Sequence, residues 1–139
     1  MEEDQTIQVL MDMWVSNNER FFGGKLKPPL EITWQELSGE NGMGCHGVYF
    51  DKSNCIAIDE KFKFDPAMVE LVEDEARKAN IADCLVLHEM IHQAMHQNGE
   101  PKFGKHGEAF IREASRVALI AGGTAPTSRE EAERWPLLF

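Results

Sequence analysis

The segment His88-Glu89-Met90-Ile91-His92 constrains this chain more than any other, because it sets three ionisable side chains inside a run, Cys84 to Met95, that is apolar at all other positions but Gln93. In a helix, His88 and His92 lie four residues apart, about 40° from eclipsed and roughly 6 Å along the axis. Two imidazoles so placed can converge on one ion, each nitrogen about 2 Å from it. Glu89 then projects beside that ion, where a carboxylate can take a proton from the water the ion activates. The bare pattern fixes only three positions and recurs by chance. The run around it decides the matter: a helix apolar on almost every side is buried. Burying two histidines and a glutamate without partners would cost several kcal/mol, and a metal ion is the simplest partner for all three.

A catalytic zinc needs a third protein ligand and an open position for water. His96 continues the four-residue ladder, but on a straight helix it lies about 12 Å along the axis from His88, and three rungs of one ladder do not easily reach a single ion, so it is the lesser candidate. His106 is better placed. Asn98-Gly99 stops the helix, and Glu100 to Lys105 reads as a loop that reverses the chain. His106 then opens the next helical pattern, facing back toward the first two histidines. Glu108 and Glu113 are carboxylate alternatives for the same role.

The pairing of this motif with Gly104-Lys105-His106-Gly107-Glu108-Ala109-Phe110 resembles the SprT-like (Spartan) zinc metallopeptidase family, which sets its third histidine in a Gly-x-His-Gly-x-x-Phe context. Upstream, Phe21-Phe22-Gly23-Gly24-Lys25-Leu26, then Leu30 to Trp34, then Cys55 to Ile58 are similar to the family's order of N-terminal helix, turn and short sheet. The resemblance spans about residues 5–121. It implies a zincin-like α+β fold, His88, His92 and His106 as ligands of one catalytic Zn2+, and Glu89 as catalytic acid/base. It also implies a task on proteins associated with or crosslinked to DNA.

The rest of the chain reads as one domain, residues 1–139, with a core over about 5–121 and a C-terminal extension over 122–139. Ile7, Leu10, Met11 and Trp14 recur at helical spacing and predict a helix over roughly 5–20 that stops before Gly23-Gly24. Lys27-Pro28-Pro29 leads into an alternating strand at Leu30 to Gln35, Ser38 to Gly42 is turn chemistry, and strands follow at about 45–50 and 54–59. Short strands joined by turns predict a three-stranded, mainly antiparallel sheet. Asp65-Pro66 predicts a helix running to about Lys78, whose acids Glu70, Glu73, Asp74 and Glu75 face solvent. Asn80 and Asp83 then resemble a cap for the metal helix. A last long helix spans about 107–121, stopped by Gly122-Gly123, and Thr127 to Glu131 can cap one more short helix. The apolar terminus Trp135 to Phe139 is expected to dock on the domain.

No run approaches the roughly 20 apolar residues of a membrane span, and the acidic start Met1-Glu2-Glu3-Asp4 is unlike a secretory signal. Cys45, Cys55 and Cys84 form no Cys-x-x-Cys pair, so neither a disulfide framework nor a zinc ribbon is expected, and reduced thiols suit a cytoplasmic location, with nucleoid or nuclear association open. Acid exceeds base by ten charges, which opposes DNA as a ligand, since Lys and Arg must neutralise its phosphates. Lys102, Lys105, Arg112 and Arg116 cluster near His106, but Glu108 and Glu113 interrupt them, and a solvated helix face explains the group.

Zinc-dependent hydrolysis of a protein or peptide substrate is therefore the leading expectation. Glu89 moves the proton, and Tyr49 or His46 is a candidate oxyanion donor or substrate contact. The strand nearest the metal helix would bind extended substrate by adding it to the sheet. The competing readings are a zinc-stabilised, non-catalytic binding domain recruited to DNA or the transcription machinery, and a metallohydrolase acting on a small amide. Glu89 argues against the first, because a structural site fills its fourth position with protein and has no use for a base.

Overall fold

The computed structural model describes residues 2–37, 46–64 and 73–137. The element order is α1 (Glu2–Phe22), β1 (Glu31–Gln35), β2 (Gly47–Phe50), β3 (Cys55–Asp59), a 3-10 turn at Glu60–Phe62, α2 (Glu73–Gln97), α3 (Glu108–Ala121) and α4 (Arg129–Arg134). This is an α+β arrangement. The turn expected at Ser38 to Gly42, Cys45, the helix start at Asp65-Pro66, Glu70, Leu138 and Phe139 lie outside the described residues.

α1 forms because Leu10, Trp14 and Phe21 fall on one face and are buried there. Gly23 and Gly24, both with positive φ, then end it, where a residue with Cβ would be strained. The buried face of α1 is keyed to α2 by polar groups as well as apolar ones. The Trp14 indole N–H donates to Gln93 Oε1 at 2.8 Å, and the Gln93 amide donates onward to the Lys27 carbonyl at 3.2 Å. Gln93 is fully buried, so these bonds offset the desolvation of an amide that has nowhere else to turn.

The sheet is mixed, not mainly antiparallel. Its order is β1-β3-β2, with β2 antiparallel to β3 but β1 parallel to it. The short turn after Phe50 does make a hairpin of β2 and β3, as turn length requires. β2 lies at the far edge from β1 and β3 runs between them, so the parallel partners β1 and β3 are not consecutive strands. Two bonds hold β1 and β3 in register at their start: Leu30 N–H donates to the Asn54 carbonyl at 2.7 Å, and the Asn54 amide donates to the Pro28 carbonyl at 3.1 Å. Asn54 meets this demand in a left-handed conformation, φ 53°, which asparagine tolerates better than most residues.

The metal-motif helix is also longer at its start than expected. Asn80 and Asp83 do not cap it; both lie inside α2, which runs unbroken from Glu73. No glycine or proline interrupts it, and the Asp83 carboxylate accepts from the Asn17 amide at 3.0 Å instead of from its own backbone. From Leu85 to Met95 every residue of α2 is buried, as its all-round apolar sequence demands. α1, the sheet and α3 pack around it. Ala132 and Trp135 belong to the same core, so the segment after α3 is docked on the domain. Among the described residues no helix is long and apolar enough to cross a membrane.

Candidate metal centre

His88 and His92 stand one turn apart on α2, and His106 meets them from the turn that leads into α3. His106 Nε2 lies 3.1 Å from His88 Nε2 and 3.2 Å from His92 Nε2. One potential ligand nitrogen from each residue lies within 4.8 Å of the others, close enough to hold a metal ion. A tetrahedral zinc with nitrogens at about 2.0–2.1 Å sets its ligands about 3.3–3.4 Å apart. The two spacings to His106 Nε2 match that edge within a few tenths of an ångström, and all three nitrogens lie within 4.8 Å of one another.

The hydrogen bonds behind the rings define which nitrogens carry lone pairs. His88 Nδ1 lies 2.5 Å from the Trp135 carbonyl oxygen, and His92 Nδ1 lies 2.6 Å from that of Phe103. A carbonyl only accepts, so each Nδ1 bears the proton, and in the neutral ring each Nε2 presents a lone pair to His106. Burial enforces neutrality: it pushes the His88 imidazole down to about 3 and that of His92 down to about 4, and it also lowers His106. A single proton on His106 Nε2 can answer only one of the two lone pairs, whereas a cation answers all three nitrogens. The donor set therefore fits a metal, with the carbonyl contacts typical of ligating histidines.

Phe110, fully buried on α3, supplies the floor, with its ring centroid 4.9 Å from those of His88 and His92 and 5.0 Å from that of His106. Trp135 stands edge-on behind it at 6.4 Å. These contacts, and the two carbonyls, are the parts that sequence reasoning missed. A main-chain acceptor leaves no mark on residue type; only the docking expected of Trp135 hinted at one of them.

Glu89 is 5% exposed and lines the same cleft, a space of about 700 Å3 walled by β2, the motif turns of α2, the loop before His106 and the segment from Glu133 to Leu137. Burial pushes its carboxyl up to about 8, opposed by the Tyr49 main-chain N–H, which donates to it. Gly47 lets β2 approach this closely: a Cβ there would stand 3.0 Å from Glu89 Oε2 and 3.3 Å from its Cγ. Gly47→Ala should therefore displace the carboxylate and destabilise the fold by about 1–3 kcal/mol, read by denaturant unfolding. An unaltered midpoint would mean that β2 yields without cost.

The remaining candidates fall elsewhere. His96 is not part of the cluster; it bonds to Tyr49 and packs on Phe103. Glu108 is exposed, and Glu113 is paired with Arg116. Tyr49 lines the cleft, but its hydroxyl is engaged with His96, so its bond to Glu89 is made by backbone alone. His46 is exposed at the rim of the cleft, edge-on to Phe62 at 5.3 Å. In the basic cluster, Lys102, Lys105 and Arg112 are exposed, while Arg116 also donates to the Phe21 carbonyl. Comparison of the chain with known protein families, curated proteins and solved structures found no match.

Proposed function

We propose that this protein is a zinc-dependent metallopeptidase that hydrolyses peptide bonds with an activated water, in the manner of the SprT-like family its motifs resemble. The observation that carries the reading is the convergence of three imidazole nitrogens with a buried carboxyl in one cleft. Three histidines with no fourth protein ligand among the described residues are the donor set of a catalytic zinc. An ion held there supplies Lewis acidity toward a water and a carbonyl oxygen. Glu89, aimed by the Tyr49 N–H, takes the proton of the attacking water and returns it to the departing amine nitrogen. The edge strand β2 packs against α2 and lines the cleft, so an extended peptide pairing along it runs past the three histidines.

The test is a digest of casein or histone by the purified protein, with and without chelator. Cleavage should be abolished by chelation and restored by zinc. Cleavage indifferent to chelator, or a zinc-loaded protein that cleaves nothing, would overturn the reading, and the second result would favour a zinc-stabilised binding domain. Added DNA asks a separate question. Stimulation would assign the substrates to proteins attached to DNA, against the net charge of −10; no change would leave a peptidase of other substrates.

A further inference from the structure

His96 extends the histidine ladder of α2 by one more rung, yet the metal cluster does not use it. Its ring lies where three elements meet. Tyr49 Oη of β2 is 2.8 Å from His96 Nδ1. Phe103, from the loop between α2 and α3, packs its ring on the imidazole with centroids 4.4 Å apart, and meets Tyr49 edge-on at 6.5 Å. Both partners of His96 deliver a main-chain group to the centre: the Tyr49 N–H reaches the Glu89 carboxylate, and the Phe103 carbonyl, 2.6 Å from His92 Nδ1, sets that ligand's tautomer.

From this arrangement we infer that His96 is a positioning residue: by holding Tyr49 and Phe103 against the end of α2, it sets the two backbone contacts that aim Glu89 and His92. The inference rests on the peptidase reading for Glu89 but on cation binding alone for His92. Its hydrogen bond restrains β2 from one side, and its ring face restrains the loop from the other. Neither contact reaches the ion, so His96 acts through the residues it holds. The other ties of the loop near this point are local: Gly99 and Glu100 bond back to the helix end, Lys102 N–H donates to Glu100 Oε1, and Lys105 bonds within the loop. Phe103 is held by its carbonyl contact with His92 and by ring packing on His96 and Tyr49, of which the His96 contact is the nearer.

The experiment titrates Zn2+ into chelator-stripped protein against a competing indicator, for the wild type, His96→Ala, His96→Asn and Tyr49→Phe. Asn places an amide near the position of Nδ1 and keeps the bond to Tyr49; Tyr49→Phe deletes one oxygen and leaves packing intact. Loss of an outer partner of a metal ligand typically costs about 10–100-fold in affinity. For His96→Ala, which acts one step further out, the expected loss is about tenfold, the low end of that range. His96→Asn should recover part of it, and Tyr49→Phe combined with His96→Ala should be no worse than His96→Ala alone, since both remove one interaction. In a peptidase assay at saturating zinc, His96→Ala should lower kcat with KM nearly unchanged, because Glu89 rather than the substrate cleft loses its aim. Wild-type zinc affinity in a folded His96→Ala protein would overturn the inference while leaving the peptidase reading intact. A wild type that binds zinc and cleaves nothing would remove the Glu89 half and leave the His92 half. A wild type that takes up no zinc would sink both.

Discussion

Glu89→Gln will hold zinc at wild-type stoichiometry and lose peptide hydrolysis by about 10²–10⁴-fold, the usual contribution of a positioned proton-transfer group. The substitution is nearly isosteric, and the Tyr49 N–H that now donates to a carboxylate oxygen still finds an amide oxygen. The three imidazoles are untouched, so metal analysis should read the same in both proteins. Only the capacity to accept and return a proton disappears. Chelator-stripped protein supplies an independent reading of sign. Burial raises the Glu89 carboxyl from 4.5 to about 8, so the folded chain binds a proton that the unfolded chain releases. That stabilising term is fully present below pH 4.5 and lost as pH rises through 8. Glutamine has no such loss, so stripped Glu89→Gln should gain stability relative to stripped wild type between those limits, by chemical denaturation. A pure variant that still cleaves at the wild-type rate removes Glu89 from the mechanism.

The parts of this site that were legible are those written in side chains at short range. His88, Glu89 and His92 share one helix, so spacing alone places them together, and the apolar run around them announces their burial. His106 was reachable because Gly99 ends the helix and only a short loop intervenes. Strand pairing was not legible in the same way. Turn length predicted the β2–β3 hairpin correctly, but the parallel pairing of β1 with β3 is settled by contacts such as Leu30 to Asn54, far apart in sequence. Asp83 misled for a similar reason: its type favours a helix cap, yet its partner is Asn17 on another helix. The carbonyls of Trp135 and Phe103 were invisible because every residue carries one. The same holds for the Tyr49 N–H: residue type makes Tyr49 a candidate oxyanion donor, and its main-chain contact with Glu89 is not written in that type.

His106→Ala will lose the cation, and with it all hydrolysis, without unfolding the chain. The fall in zinc affinity should exceed the about 10–100-fold that follows removal of an outer partner, because a ligand itself is gone. Two nitrogens separated by one helical turn cannot enclose an ion, and neither carboxylate alternative takes the place of the third: Glu108 is exposed and Glu113 is held by Arg116. The fold should survive because His106 is only half-buried and α3 is anchored by Phe110, Ala114, Val117 and Ala118. Removing the ring also relieves the crowding of His106 against two lone pairs, of which its single proton answers only one. Stripped His106→Ala should therefore match or exceed stripped wild type in stability, while zinc, which raises the melting temperature of the wild type by binding only the folded state, should leave that of the variant unmoved. Those two melting curves separate a lost ligand from a lost fold. Should the variant retain zinc at full stoichiometry, the centre would have to be rebuilt around His96, Glu108 or Glu113, and the geometry of the three converging nitrogens would lose its meaning.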